Sequence, residues 1–129
     1  MVQVDNPPSR PPILSSYTTK VTTGCGSLYV TVSYKEDKKP IEVFAHLGKA
    51  GGCSACQVNI ITLLLSRSLR YGIPLDVLLD KMLGAQCASI AWDDGVKILS
   101  CPDAIAQVLA NHEKTINKAG GSSGQESKS

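Results

Sequence analysis

The hydrophobic pattern of this chain changes its period along the sequence, from two residues in the first half to a helical period in the second. Residues 27–34 alternate cleanly, with Leu28, Val30, Val32 and Tyr34 on one face and the intervening side chains on the other. Such alternation is typical of a half-buried β-strand. Strands followed by a separate block of helices predict an α+β fold, because the strands pair with each other and the helices cover the sheet.

Two further segments complete the predicted sheet. Residues 17–23 and 41–47 are rich in β-branched and apolar side chains, which favour strands. The turn at 24–26 and the charged loop at 35–40 that connect the strands are both short. Because short connections join antiparallel neighbours, we expect a three-stranded antiparallel meander.

The second half is predicted to be helical. Residues 53–71 are apolar on most sides, so this helix should lie against the meander as the central core element. A second helix is predicted between Pro74 and Gly84. A small hairpin should turn at 93–95, and Ser100 should cap the last helix.

The length of 129 residues suits one folded domain with unfolded ends. Residues 1–16 contain four prolines and predict a flexible, extended arm. Residues 118–129 are mostly glycine, serine and polar side chains, which predicts a disordered tail. The folded domain is therefore expected at 17–117.

Composition and charge argue against several classes of function. A net charge of +2 is too small to indicate a nucleic-acid or membrane surface, and aromatic residues make up only 5% of the chain. The N-terminus resembles no signal peptide, and the longest apolar run, 60–65, is too short to cross a bilayer. We therefore expect a cytoplasmic protein with reduced thiols.

Five cysteines, Cys25, Cys53, Cys56, Cys87 and Cys101, are the candidate functional residues. Each is predicted in a turn, in a connecting segment or at the start of a helix, and a helix N-terminus favours the thiolate. In a reducing compartment such cysteines indicate a metal or redox site more than disulfides. Zinc needs four thiolates in a tetrahedron, so the cysteines are predicted to converge from separate elements, and an iron–sulfur cluster would use the same ligands.

Two other interpretations of the cysteines stay open. Cys53 and Cys56 have the Cys-X-X-Cys spacing of a thiol-redox pair at a helix start, although the βαβ context of such proteins is missing. The cysteines would otherwise be small buried hydrophobic residues without a chemical role.

A glycine-rich loop precedes the first predicted helix. Lys49, Gly51 and Gly52 could bind a phosphate or nucleotide there, because glycines allow close approach and a helix N-terminus follows. The chain lacks the Walker pattern, so a tight strand-to-helix turn is the competing interpretation.

The two histidines carry weaker signals. His46 alternates along its strand and could be a ligand, although a surface position fits it better. His112 is expected at the end of the last helix, where a cation suits the helix dipole.

Several segments together resemble the TSCPD domain. The segments that carry this resemblance are Gly24-Cys25-Gly26, Glu42-Val43-Phe44, Gly48-Lys49-Ala50-Gly51-Gly52-Cys53, Leu69-Arg70-Tyr71-Gly72-Ile73-Pro74 and Ser100-Cys101-Pro102-Asp103-Ala104-Ile105-Ala106. The resemblance covers about 18–109, and its most specific part is 100–105. The naming motif begins with threonine, where this chain has Leu99.

The resemblance assigns the cysteines individually. The recurrent cysteines of the family fall on Cys25, Cys53, Cys87 and Cys101, which makes Cys56 an extra thiol or a substitute for Cys53. The TSCPD domain is found near the C-terminus of adenosylcobalamin-dependent (class II) ribonucleoside-diphosphate reductases and as free-standing small proteins.

The resemblance therefore implies a metal-binding accessory or regulatory module linked to ribonucleotide reductase and deoxyribonucleotide synthesis. Its metal would be zinc, with an iron–sulfur cluster as the alternative. Its partner would be a reductase catalytic chain or another protein, and a homo-oligomer is compatible with the sequence. With 129 residues the chain is too short for the catalytic barrel and a cobalamin site, so we expect no cobalamin and no ribonucleotide reduction by this chain alone. Whether it catalyses any reaction is left open.

Overall fold

The computed structural model describes residues 10–48 and 52–121, with side chains described from 53 to 115 in the second range. The elements, in chain order, are β1 (Ser15–Thr23), β2 (Gly26–Tyr34), β3 (Pro40–Leu47), α1 (Gly52–Arg70), α2 (Leu75–Met82), β4 (Ala91–Asp93), β5 (Val96–Ile98) and α3 (Cys101–Gly121). The first three strands form one antiparallel sheet in sequence order, and β4 and β5 form a separate hairpin. The predicted α+β class and the meander are confirmed.

The inner face of the sheet is the face that the alternation of β2 predicted. Leu28, Val30, Val32 and Tyr34 are all buried, whereas the residues between them face the other side of the sheet. Val30 pairs with a residue of β1 on one side and with Ala45 of β3 on the other. The buried side chains of the three strands therefore form one continuous apolar surface.

The helix at the centre of the core is α3, not α1. Ala104, Ile105 and Leu109 of α3 have no exposed surface and pack in the same cluster as the inner face of the sheet. Helix α1 packs along β3 as predicted, but Leu63 and Leu64 on its far side are 46% and 61% exposed. The reason is that α3 covers β1 and β2, so α1 is left beside β3 and buries only one stripe.

Helix α1 closes the outer edge of the sheet through a serine. The hydroxyl of Ser66 accepts a hydrogen bond from the backbone N–H of Val43 and donates one to the carbonyl of the same residue, both at 2.9 Å. An edge strand leaves such groups without partners, and a pairing strand from another chain could otherwise use them. The side chain therefore replaces one step of a β-ladder.

The later turns follow the glycines of the sequence. Gly84 ends the second helical segment with a φ of +85°, and Gly95 follows Asp94 in the β4–β5 turn with φ values of +81° and +50°. Two successive positive φ angles are typical of a type I′ hairpin turn. No helix in the described ranges is long and apolar enough to cross a membrane.

The described elements extend beyond the predicted domain limits of 17–117 at both ends. Arg10, before β1, is anchored to the sheet by an ion pair to Glu42, with 2.7 Å between Nε and Oε2. Strand β1 begins at Ser15, so it takes in the last two residues of the predicted flexible arm. Helix α3 takes in 118–121 of the predicted tail. Residues 1–9 and 122–129 lie outside the described residues, so the predictions for these ends stay predictions.

Candidate functional site

The β1–β2 turn packs directly on the loop between α2 and β4. A β-carbon on Gly24 would lie 2.3 Å from the carbonyl oxygen of Ser89, which no side chain tolerates. A glycine is therefore needed here for close approach, not for an unusual backbone angle. The contact brings Cys25, at the tip of this turn, next to the segment that carries Cys87.

The hydroxyl of Thr23 connects two of the cysteines. It donates to the carbonyl of Gly26 at 2.8 Å and accepts from the backbone N–H of Cys25 at 3.1 Å. The thiol of Cys101 also donates to it, with a sulfur–oxygen distance of 3.8 Å. This buried threonine thus fixes the turn of Cys25 against the start of α3.

Cys101 is positioned by the cap of α3. The hydroxyl of Ser100 accepts from the backbone N–H of Asp103 at 3.1 Å, as the predicted cap requires, and donates to the carbonyl of Ala85 at 2.6 Å. The carboxylate of Asp103 accepts from the backbone N–H groups of Gly84 and Leu99 at 2.9 Å and 3.0 Å. Residues on both sides of Cys101 therefore tie the helix start to the loop that follows α2.

Cys87 belongs to that same loop. Its backbone N–H donates to the carbonyl of Leu99 at 3.1 Å, two residues before Cys101. Its thiol donates to the carbonyl of Ser89 at 3.4 Å, and the Ser89 N–H donates back to the sulfur at 3.3 Å. The side chain is exposed, so the thiol has a defined local position and contact with solvent.

The N-terminal part of α1 reaches the cluster through Ser54. The hydroxyl of Ser54 lies 3.4 Å from the sulfur of Cys25, within hydrogen-bonding distance. Cys53 and Cys56 flank this serine in α1, and both are exposed. Four separate segments therefore meet at one end of the domain.

The electrostatics of Cys101 differ from the expectation. Burial raises the pKa of its thiol above the usual value, although the hydroxyl of Thr23 works in the opposite direction. The Cys25 thiol raises it further through its charge and a side-chain hydrogen bond, and the charge of Cys87 adds to this. The prediction that the helix start favours the thiolate is wrong for Cys101, because burial has the largest effect on the pKa of this thiol and favours its neutral form.

The structure brings three of the five predicted cysteines together. Cys25, Cys87 and Cys101 interact electrostatically, and the start of α1, which carries Cys53 and Cys56, contacts Cys25 only through Ser54 among the described hydrogen bonds. Among residues 10–48 and 52–121, no group of three or more histidine, cysteine or acidic side chains is arranged so that it could hold a metal ion. The segments have thus converged, whereas the sulfur atoms do not surround one common point.

The predicted anion site falls largely outside the described part of the chain. Lys49 and Gly51 are not described, and Gly52 is the first residue of α1. The phosphate-binding interpretation of this loop therefore stays a prediction.

Sequence reasoning missed the polar residues around the thiols. Each of the residues Thr23, Ser54 and Ser89 contacts at least one cysteine. Each of them also lies within two residues of a cysteine in the sequence. A hydroxyl residue that close to a cysteine was the available signal. The hydrogen bond from Gly84 to the Asp103 carboxylate could not be predicted in this way, because the two residues are 19 positions apart in the sequence.

A second polar cluster lies between α3 and the start of the sheet. The ring nitrogens of His112 lie 3.1 Å from the hydroxyl of Thr19 and 3.2 Å from that of Tyr34. Burial lowers the pKa of His112 and raises the pKa of Tyr34 to about 12. The expectation for His112 is wrong, because α3 continues to Gly121 and its imidazole faces the sheet instead of a helix end. His46 is exposed and stacks on Tyr29, with ring centroids 5.3 Å apart.

The fold and this cluster define a class of protein: a small α+β domain that gathers thiols from several segments at one end. The model of the TSCPD domain matches residues 3–113, and the chain belongs to this family, which is associated with ribonucleotide reductase-related proteins. No curated protein and no solved structure matches the chain.

Proposed function

We propose that the chain is an accessory module of ribonucleotide reductase and that its cysteine thiolates bind a metal ion. The observation that carries the proposal is that the segments of Cys25, Cys87 and Cys101, which are a β-turn, a loop and a helix start, pack on one another. Structural zinc sites use this kind of arrangement to join segments that few other contacts hold together.

The residues fit such an ion in kind, and their segments adjoin, although the sulfur atoms of the described residues are not arranged around one point in this structure. Soft thiolates are the ligands that zinc and iron–sulfur clusters prefer. The charges of Cys25 and Cys87 raise the pKa of the Cys101 thiol, and a cation bound among them would reverse that effect, because metal binding favours deprotonated ligands. Zinc is the first candidate and an iron–sulfur cluster the second.

Three ligands follow from the cluster, and α1 supplies the fourth. Cys53 and Cys56 both lie on the first two turns of α1, whose Ser54 contacts Cys25. Either sulfur could complete a set of four with Cys25, Cys87 and Cys101. When bound, the ion would act structurally, by linking the meander to α1 and α3.

The partner we propose is the catalytic chain of a ribonucleotide reductase. Support comes from membership of a family associated with proteins related to this enzyme. Co-elution of the purified chain with such a catalytic chain in size-exclusion chromatography would support this role. Separate elution at concentrations of tens of micromolar, with the metal bound, would contradict it.

Elemental analysis of protein purified without oxygen tests the metal site. We expect about one zinc per chain and no visible absorption, whereas iron with absorption in the visible range would indicate the cluster instead. Protein that carries neither metal, and that does not take up zinc from solution, would overturn the proposal.

Serine substitutions identify the ligands. We expect Cys25→Ser, Cys87→Ser and Cys101→Ser each to lower the zinc content strongly. Only one of Cys53→Ser and Cys56→Ser should do so, and the other is the matched control. An equal zinc content in all five variants would indicate adventitious binding.

A pair of glycine variants tests the convergence without touching a cysteine. Gly24→Ala should lower zinc affinity, because its β-carbon would push the segment of Ser89 away from the turn. Gly48→Ala is the control, since its β-carbon would meet the ring of Tyr29 at an ordinary distance of 3.4 Å. Equal zinc affinity in both variants would show that the packing of turn and loop does not set the metal site.

A further inference from the structure

A cavity of about 580 Å³ lies at the end of the sheet away from the thiol cluster of Cys25, Cys87 and Cys101. Its walls come from the start of β1, the β2–β3 turn at 35–39 and the second half of α3. Strand β2 runs from the Cys25 turn to this cavity, so the two places are separated by roughly 25 Å, the length of the strand. Binding sites for small molecules have volumes of about 300–1,000 Å³.

One wall of the cavity carries an exposed aromatic ring. The ring of Tyr17 makes edge-to-face contacts with Tyr34 and His112, with centroids 5.9 Å and 6.2 Å apart. His112 is itself held by hydrogen bonds to Thr19 and Tyr34. Tyr17 is nevertheless 56% exposed. The ring therefore has a defined orientation and still offers surface on which a flat ligand can stack.

The β2–β3 turn contributes two lysines to the same cavity. Lys35 and Lys38 are both exposed, and neither of them forms an ion pair within the part of the chain that the structure describes. Glu36 is the one carboxylate among the described residues that line the cavity. Two amines against one carboxylate leave an excess of positive charge, which suits an anionic ligand.

Lys38 has a backbone conformation that glycine or asparagine usually adopts. Its φ is +66°, in the left-handed region. The N–H of Lys38 donates to the carbonyl of Lys35 at 2.8 Å, and the N–H of Lys39 donates to the carboxylate of Asp37 at 3.1 Å, so the turn is held in this form. A lysine at this position costs stability that a glycine would not, and strain of this kind is concentrated at functional sites.

We infer that this cavity binds a nucleoside phosphate. The base would stack on Tyr17, and the phosphate would bind to the amines of Lys35 and Lys38. Hydroxyl groups of Ser15 and Thr115 also line the cavity and would contact the sugar.

The ligand class follows from the three kinds of group that line the cavity. An aromatic side chain stacks on any base, hydroxyl groups pair with sugar hydroxyls, and lysine amines bind phosphate as point charges. A nucleoside phosphate combines a flat ring, hydroxyl groups and an anion in one small molecule. No cysteine is among the described lining residues, so the inference does not depend on the proposed metal.

Isothermal titration calorimetry of the full chain with adenosine monophosphate (AMP) tests the site. Adenosine lacks the phosphate, and inorganic phosphate lacks the ring. We expect AMP to bind at least about tenfold more tightly than either fragment, because each fragment loses one of the two main contacts. No binding at millimolar AMP, or equal affinity for AMP and one of the fragments, would overturn the inference.

Lys38→Gly separates binding from stability. Glycine relieves the positive φ, so this variant should unfold at no lower urea concentration than the wild type. It should nevertheless bind AMP about tenfold more weakly, because one charge-assisted contact is lost. Lys39→Ala is the matched control, since Lys39 is exposed in the same turn but does not line the cavity, and it should bind AMP as the wild type does. Wild-type affinity in Lys38→Gly, or an equal loss in Lys39→Ala, would contradict the assignment.

A second pair of variants tests the stacking. Tyr17→Ala should weaken AMP binding about tenfold or more, whereas Tyr17→Phe keeps the ring and should bind like the wild type. Equal affinity in the two variants would exclude stacking on this ring.

Lys49→Ala tests the other place where the sequence predicts an anion site. Lys49 belongs to the glycine-rich loop before α1, and this variant should keep the wild-type affinity for AMP. A loss of binding in Lys49→Ala, together with wild-type affinity in Lys38→Gly, would assign the nucleotide to that loop and overturn the inference.

Discussion

At the scale of single residues, the segment around Cys101 shows why four consecutive residues act as a unit. Ser100 caps α3, Cys101 faces Thr23, and Asp103 binds the loop after α2. Pro102 lies in the first turn, where a missing N–H costs no hydrogen bond. Each residue therefore has a separate physical task at the same helix start.

The Asp103 carboxylate should be among the most important polar groups for stability. Asp103→Ala leaves the N–H groups of Gly84 and Leu99 without their acceptor, and we expect the free energy of unfolding to fall by about 2–4 kcal/mol. Asp93→Ala is the matched control, because Asp93 accepts one exposed hydrogen bond from Thr22, and it should cost less than about 1 kcal/mol. Urea unfolding measures both, and equal losses would contradict the assignment.

At the scale of the elements, the positions of α1 and α3 explain the domain. Helix α3 fills the centre of the inner face, and α1 takes the edge of β3. Both helices begin at the same end of the domain, where their first turns contact the β1–β2 turn. The packing of the helices therefore decides which thiols become neighbours.

The hydrogen bonds between α1 and β3 give a matched pair of serine variants. Ser66→Ala removes two buried hydrogen bonds to Val43, and we expect a loss of about 1–3 kcal/mol in the free energy of unfolding. Ser68 lies two residues further along α1, and Ser68→Ala removes only an exposed hydrogen bond to the carbonyl of Leu64. This variant should change the free energy of unfolding by no more than about 0.5 kcal/mol. Chemical denaturation compares them, and similar losses would show that the edge of β3 needs no cap.

Because His112 of α3 packs against the sheet, the domain should become less stable in mild acid. Burial lowers the pKa of His112 below 6.5, so the unfolded chain binds a proton that the folded chain does not. Stability is thus fully present above pH 6.5 and is lost as the pH falls through the folded-state pKa. His112→Gln should remove this dependence below about pH 6.5, while His46→Gln, at an exposed position, should keep it. An unchanged pH profile in His112→Gln would contradict this role.

At the scale of the whole molecule, the thiol cluster and the hydrophobic core meet at Cys101. This residue belongs to the core cluster and also contacts the turn of Cys25. Because the same residue serves both, binding at the cluster should be coupled to the stability of the whole domain. Substitutions or metal binding at the thiol cluster are therefore expected to change the free energy of unfolding of the whole domain.

Removal of the proposed metal should lower the thermal midpoint. Free zinc at a hundred times its dissociation constant adds about 2.7 kcal/mol, which for a domain of this size corresponds to roughly 10 °C or more. A chelator should reverse this shift in the wild type and should have no effect on a Cys25→Ser/Cys87→Ser/Cys101→Ser variant. Differential scanning calorimetry measures the thermal midpoints of both proteins. A wild-type midpoint that does not change on addition of zinc or chelator would contradict the structural role of the metal.

Local patterns in the sequence were sufficient to predict the strands and helices of the domain. The alternation of β2 predicted the inner face of the sheet, glycines marked the turns, and Ser100 marked the start of α3. These signals are local, because backbone geometry and side-chain period are properties of neighbouring residues. The five cysteines likewise indicated that thiols, and not carboxylates or histidines, are the groups to examine.

Only the tertiary structure decided which residues act together. An apolar helix can cover the centre of a sheet or its edge, and the exposure of Leu64 followed from the place that α3 already occupies. The contact of Cys101 with Thr23, next to the turn of Cys25, and the raised pKa of the Cys101 thiol depend on residues that are far apart in the chain. Burial and long-range contact are properties of the packed molecule, and no sequence period carries them.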